Sequence, residues 1–205
     1  MLHHTKKIAG FTVVEIIVVV AMIGIIATIG LVSYNGSLVA ARNTDRLNEL
    51  KAWENAFILH AQLKRNYPSV PGAGTYCLGT DFPTSADIAP HVPSGHTFTP
   101  SSPDGYCGNL LTSSGRYVVN ANLNTQLLAI TEKNPGSKSF KQAQFAAWQT
   151  AIGPYAKFEA GRITLSHIFE GNSCPASTSV THTYTNGPRV VCSLTLPTNY
   201  SYSTP

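Results

Sequence analysis

Charge is sparse in this chain: only 12% of its 205 residues are Asp, Glu, Lys or Arg, and the formal balance is +4. Lys6 and Lys7 supply two of those positive charges, and the +2 left to the rest is too little to infer a polyanion-binding surface. Charge therefore names no nucleic-acid partner. The four cysteines, Cys77, Cys107, Cys174 and Cys192, include no C-x-x-C pair, so zinc-ribbon and thioredoxin-like spacings are both absent. The strings G-x-S-x-G, H-E-x-x-H, G-x-x-x-x-G-K-[ST] and G-x-G-x-x-G are missing as well, and the expectation is a protein that is not an enzyme and uses no cofactor. Residues 171–205 contain neither Asp nor Glu, which leaves Asn172 and Asn186 as poor material for a calcium site there.

What is present is concentrated at the start. From Phe11 to Val32 the chain reads FTVVEIIVVVAMIGIIATIGLV, with Glu15 its single ionisable side chain. As a helix this run would measure about 33 Å, enough to cross a bilayer, whereas the apolar part of a cleaved secretory signal is roughly 7 to 15 residues. Lys6 and Lys7 precede it, so the positive-inside rule places the N-terminus in the cytoplasm and the residues beyond Tyr34 outside. A carboxylate within a membrane span costs about 2.5 to 3.5 kcal/mol and normally has a partner or a task. Glu15 also lies near enough to the start of the run to remain hydrated at the headgroups, which is its ordinary explanation.

The junction KKIAG followed by FTVVE resembles the prepilin processing site of the type IV pilin and pseudopilin family. That family has a short basic leader, a Gly, and a Phe opening a long apolar helix with Glu at the fifth position. The resemblance implies cleavage by a prepilin peptidase between Gly10 and Phe11, N-methylation of Phe11, and pairing of the new amine with Glu15 of a neighbouring subunit during assembly. It implies membrane lipid as the medium before assembly, an inner-membrane assembly platform, and a homopolymeric or mixed pilin filament on the cell surface afterwards. Ala21, Gly24, Ala27 and Tyr34 extend the likeness, while Val32 stands where many members have proline. Gly24 and Gly30 weaken the helix there.

Past the membrane run no proline occurs before Pro68, so the helix is expected to continue to about Arg65 and stop near Asn66. Leu47, Leu50, Trp53, Phe57 and Ala61 recur at three- and four-residue steps and form an apolar stripe for packing on a head. Arg42 with Asp45 and Arg46 with Glu49 are expected as i,i+3 pairs on the opposite, solvated side.

Residues 67 to 115 read as an ordered loop. Strands are expected around Tyr117–Leu123, Ile163–Leu165, Val180–Tyr184 and Val190–Leu196, the last two joined by a turn at Thr185–Pro188. A short helix is expected after Ser139, with Phe145, Trp148 and Ile152 on one face and a stop at Gly153-Pro154. An exported head permits disulfides, and although three connectivities are possible, pairing Cys77 with Cys107 and Cys174 with Cys192 closes the shorter loops. Each bridge would contribute about 3 to 4 kcal/mol. His91, His96, Asp81, Asp87 and Asp104 could meet around a metal but are more simply solvated, and no metal site is expected. Asn199-Tyr200-Ser201 fits a glycosylation pattern that arises often by chance.

Together these readings predict an α+β chain, a long N-terminal helix with a transmembrane first half packed on an antiparallel β-sheet head. Its parts are a leader over 1–10, an assembly helix over 11–35, an amphipathic helix over 36–66 and a disulfide-bonded extracellular head over 67–205. The expected function is that of a type IV pilus-like filament subunit serving adhesion, motility or DNA uptake. A minor pilin or a secretion or competence pseudopilin is the near alternative, and a non-polymerising membrane-anchored adhesin the distant one.

Overall fold

A computed structural model describes residues 11–80, 82–84, 105–109, 116–131, 151–184 and 189–200, without the side chains of 29–33, 109, 116, 151–152 and 181–184. The chain divides into two units, Met1–Arg42 and Asn43–Pro205. One helix, α1 (Val13–Lys64), contributes to both.

In the first unit α1 starts with a capping box. Thr12 donates its backbone N–H and its hydroxyl to Glu15 Oε2, both at 2.8 Å, and the Glu15 N–H returns a 3.3 Å bond to Thr12 Oγ1. The T-x-x-E spacing satisfies amides that a helix start leaves without partners. Beyond it the side chains of Val13, Val14, Ile16–Val20, Met22, Ile23, Ile25 and Ile26 are each between 46% and 75% exposed, so no face of this stretch is covered. Among the described side chains no helix is long and apolar enough to cross a membrane. The backbone stays helical through the rest of the apolar run.

The second unit packs the C-terminal part of α1 on a sheet. Leu50, Trp53, Phe57 and Ala61 are fully buried, as the stripe predicted, and Leu47 is partly buried. The helix stops at Lys64, within a residue of the expected end, because Arg65 takes a left-handed conformation (φ 65°) that turns the chain. The turn sends Tyr67 into the core, where its hydroxyl donates to the Pro197 carbonyl at 2.8 Å.

Among the described residues eight strands make one sheet: β1 (Gly74–Cys77), β2 (Tyr106–Asn109), β3 (Arg116–Val119), β4 (Ala151–Ile152), β5 (Tyr155–Glu159), β6 (Arg162–Glu170), β7 (Ser179–Tyr184) and β8 (Arg189–Thr195). Their order is β4-β2-β3-β1-β5-β6-β8-β7. The head is thus α+β, as expected, but its sheet is mixed: β1 lies parallel to β3 and antiparallel to β5. Two of its strands, β1 and β2, fall inside the segment read as loop. They are four residues long with little alternation, and they form by pairing with distant chain rather than by a local pattern.

The expected strand over Tyr117–Leu123 ends at Val119. Asn120 accepts the Leu123 N–H at 2.9 Å on its side-chain oxygen and opens α2 (Ala121–Leu128), so Leu123 and Leu127 enter the core from a helix. Ile152, expected on a helix, lies in β4, while the rest of that expected helix lies outside the described residues. The β7–β8 hairpin forms as anticipated, and its turn at 185–188 is likewise outside them.

One face of the sheet presents Ala156, Phe158, Ile163, Leu165 and Leu194 to α1 and α2. Burying a side chain of this size contributes about 1.5 to 3 kcal/mol, which makes this layer the main adhesive of the head. The other face carries a smaller cluster of Phe82, Tyr106, Tyr155, Ile168 and Val191 around the Cys77–Cys107 disulfide. Cys174 and Cys192 form the second bridge, so both expected pairings are present and no cysteine is free.

Candidate functional site

Glu15 is the residue that the membrane argument singles out. Its Oε2 accepts two bonds from Thr12, so its carboxylate is positioned by the first turn of its own helix. A carboxylate there also meets the positive end of the helix dipole. This capping role is legible in the sequence as T-x-x-E, Thr12 followed three residues later by Glu15. Phe11 directly precedes the cap and is 82% exposed. Gly10, the other half of the expected cleavage site, lies outside the described residues. Gly24 has nothing within 4 Å of where a Cβ would stand, leaving room for a neighbouring surface to approach the helix backbone closely.

A second polar constellation joins α1 to β6 in the head. Asn43 acts as a short strand edge: its Nδ2 donates to the Glu170 carbonyl at 2.8 Å, and the Glu170 N–H donates to Asn43 Oδ1 at 2.9 Å. One turn on, Arg46 pairs with the Glu170 carboxylate at 3.0 Å. Another turn on, Glu49 Oε2 lies 3.2 Å from His167 Nε2, with both residues buried. The Ile168 N–H lies 2.7 Å from His167 Nδ1, which holds the ring in place with Nε2 towards Glu49. The expectation of a solvated face at Arg46 and Glu49 is therefore corrected. Helical spacing placed these residues together but could not reveal that β6 supplies partners for them.

Chemistry is otherwise thin. Among the described residues no group of three His, Cys, Asp or Glu could hold a metal ion. His91, His96, Asp81, Asp87 and Asp104 lie outside them, as does Asn186, while Asn172 and Asn199 are exposed. Glu49 and His167 join α1 to β6 within the buried part of the head. Comparison of the chain with protein-family models, with curated proteins and with solved structures returns no match.

Proposed function

We propose that the chain is a type IV pilin-like subunit, cut between Gly10 and Phe11 by a prepilin peptidase and polymerised through the first half of α1. The carrying observation is the helix stretch from Val13 to Ile26, apolar on every side and covered on none. A helix of that kind requires an apolar surrounding, which lipid supplies before assembly and the helices of other subunits supply within a filament. Glu15 belongs to the same reading: the amine released at Phe11 is the cation that its carboxylate lacks, and an adjacent subunit brings such an amine into a poorly hydrated stalk. The capping bonds from Thr12 use one carboxylate oxygen and leave charge for that pairing. The two disulfides suit a head held outside the cytoplasm, and no catalytic role is assigned to it.

The test is mass spectrometry of the mature N-terminus together with Glu15→Ala. A chain beginning at methylated Phe11, and a variant that is inserted and processed but yields at least about tenfold fewer fibres, are expected. An intact Met1 on a solitary tethered protein would instead identify a membrane-anchored monomer. Copy number per cell and immunogold labelling of sheared fibres distinguish a major pilin from a minor pilin or pseudopilin.

A further inference from the structure

The sheet face opposite Leu50, Trp53 and Phe57 holds a cavity of about 570 Å³, within the size range of small-molecule sites. Its floor is built by alternation. Tyr155, Lys157 and Glu159 of β5 point to this side, and their register partners on β6 are Ser166, Thr164 and Arg162. Thr195 and Ser193 of β8 continue the rows from Thr164 and Ser166. One end of the groove therefore has tyrosine, with the Tyr117 and Tyr155 rings 4.9 Å apart, the middle has hydroxyls, and the other end has charge.

At the charged end Glu159 lies between two cations, at 2.7 Å from Lys157 Nζ and 2.9 Å from Arg162 Nη2. Among the described lining residues, one carboxylate with two cations leaves one positive charge. The Lys157 and Arg162 side chains are 53% and 59% exposed, so both reach solvent at that end of the groove. We propose that this groove binds a short saccharide bearing one carboxylate, held at that carboxylate by Arg162 and Lys157 and along its hydroxyls by Thr164 and Thr195. Threonine hydroxyls both donate and accept, as sugar hydroxyls do, and a tyrosine ring offers an apolar face with a polar rim.

Other ligand classes fit less well. β5, β6 and β8 each have a neighbour on both sides, so the groove has no open strand edge for an extended peptide. Two cations against one acid cannot neutralise the run of phosphates that holds a nucleic acid. The inference concerns the head alone and does not depend on whether the chain polymerises.

The test uses the full chain in detergent micelles, titrated with 3′-sialyllactose and with lactose by saturation-transfer difference NMR. Sialyllactose is expected to bind about tenfold or more tightly than lactose, the factor a charge-assisted contact confers, and Arg162→Gln should reduce it to the lactose level with circular dichroism unchanged. Lys157→Gln should do the same in part. Absence of saturation transfer from either sugar would overturn the proposal, as would undiminished sialyllactose binding by Arg162→Gln. Tighter binding of an acidic peptide or an oligonucleotide, lost in the same variant, would reassign the groove to that ligand.

Discussion

His60 sits buried near the end of α1, and its Nδ1 lies 3.0 Å from the Asn66 carbonyl oxygen, to which it donates. Burial lowers its pKa below the ordinary value of 6.5; the bond to Asn66 opposes the shift and the charge of Lys64 adds to it. The folded chain thus holds the imidazole neutral to a lower pH than the unfolded chain does. Its contribution to stability is complete above pH 6.5 and is lost as the pH falls through the lower folded value. Urea midpoints should decline on acidification from neutral pH, and the decline should be shallower in His60→Gln, which keeps an N–H donor. Glu49 makes a different argument. Among the described residues its Oε1 and the Trp53 Nε1 are buried without hydrogen-bond partners, so the Glu49–His167 contact comes at a desolvation cost. Removing one partner leaves the other's buried polar atom unpaired: Glu49→Ala should lower unfolding stability by about 1 to 3 kcal/mol. The paired replacement Glu49→Leu with His167→Leu should come close to neutral in the same denaturation assay, which would show that the pair supplies orientation more than stability.

At the scale of elements, amide side chains stand in for strands. Asn43 docks α1 on β6, Asn124 makes the same two-bond clamp with Gly79 at 3.0 and 2.9 Å, and Gln126 does so with Ser69 at 3.0 and 3.1 Å. Each satisfies both backbone groups of a single residue through one side-chain amide. Asn124→Leu, which removes a buried clamp, should cost about 2 kcal/mol in thermal or urea melts. The end of α1 is a separate case. Arg65 occupies a left-handed position that a residue with a Cβ adopts at a cost, so Arg65→Gly should raise stability by up to about 1 kcal/mol despite adding a glycine. Gly105 shows the converse, with φ 97° and a position where a Cβ would stand 2.5 Å from the Phe82 carbonyl oxygen. Gly105→Ala should destabilise the head, with a lower melting temperature as the readout.

For the whole molecule, the two disulfides lie in different parts of the sheet. Cys77–Cys107 ties β1 to β2, and Cys174–Cys192 holds the segment before β7 against β8. Replacing Cys77 and Cys107 together by Ala should cost about 3 to 4 kcal/mol, measured by urea denaturation of the oxidised proteins. Both pairings were anticipated from loop length, and the apolar stripe of α1 and the β6 and β8 strands from their periods, because each of these rests on neighbours along the chain. The short strands β1 and β2 were not, nor was α2 in place of a strand. β1 acquires its state from β3 and β5, and in α2 the cap at Asn120 and the burial of Leu123 and Leu127 outweighed an alternation too brief to decide.

The candidate sites divide along the same line. Gly10, Phe11 and Glu15 were selected by local order, and even the capping role of Glu15 is written as Thr12 three residues before it. By itself the sequence determined the apolar character of residues 11–32, the helix that follows and the positions of the cysteines, since composition and spacing act over a few turns. Only the tertiary structure decided that Glu49 faces His167, that Asn43 and Arg46 meet Glu170, and that Lys157, Glu159 and Arg162 share a groove with the hydroxyls of β6 and β8. Those encounters depend on strand register, which is set by how distant segments bury their faces together.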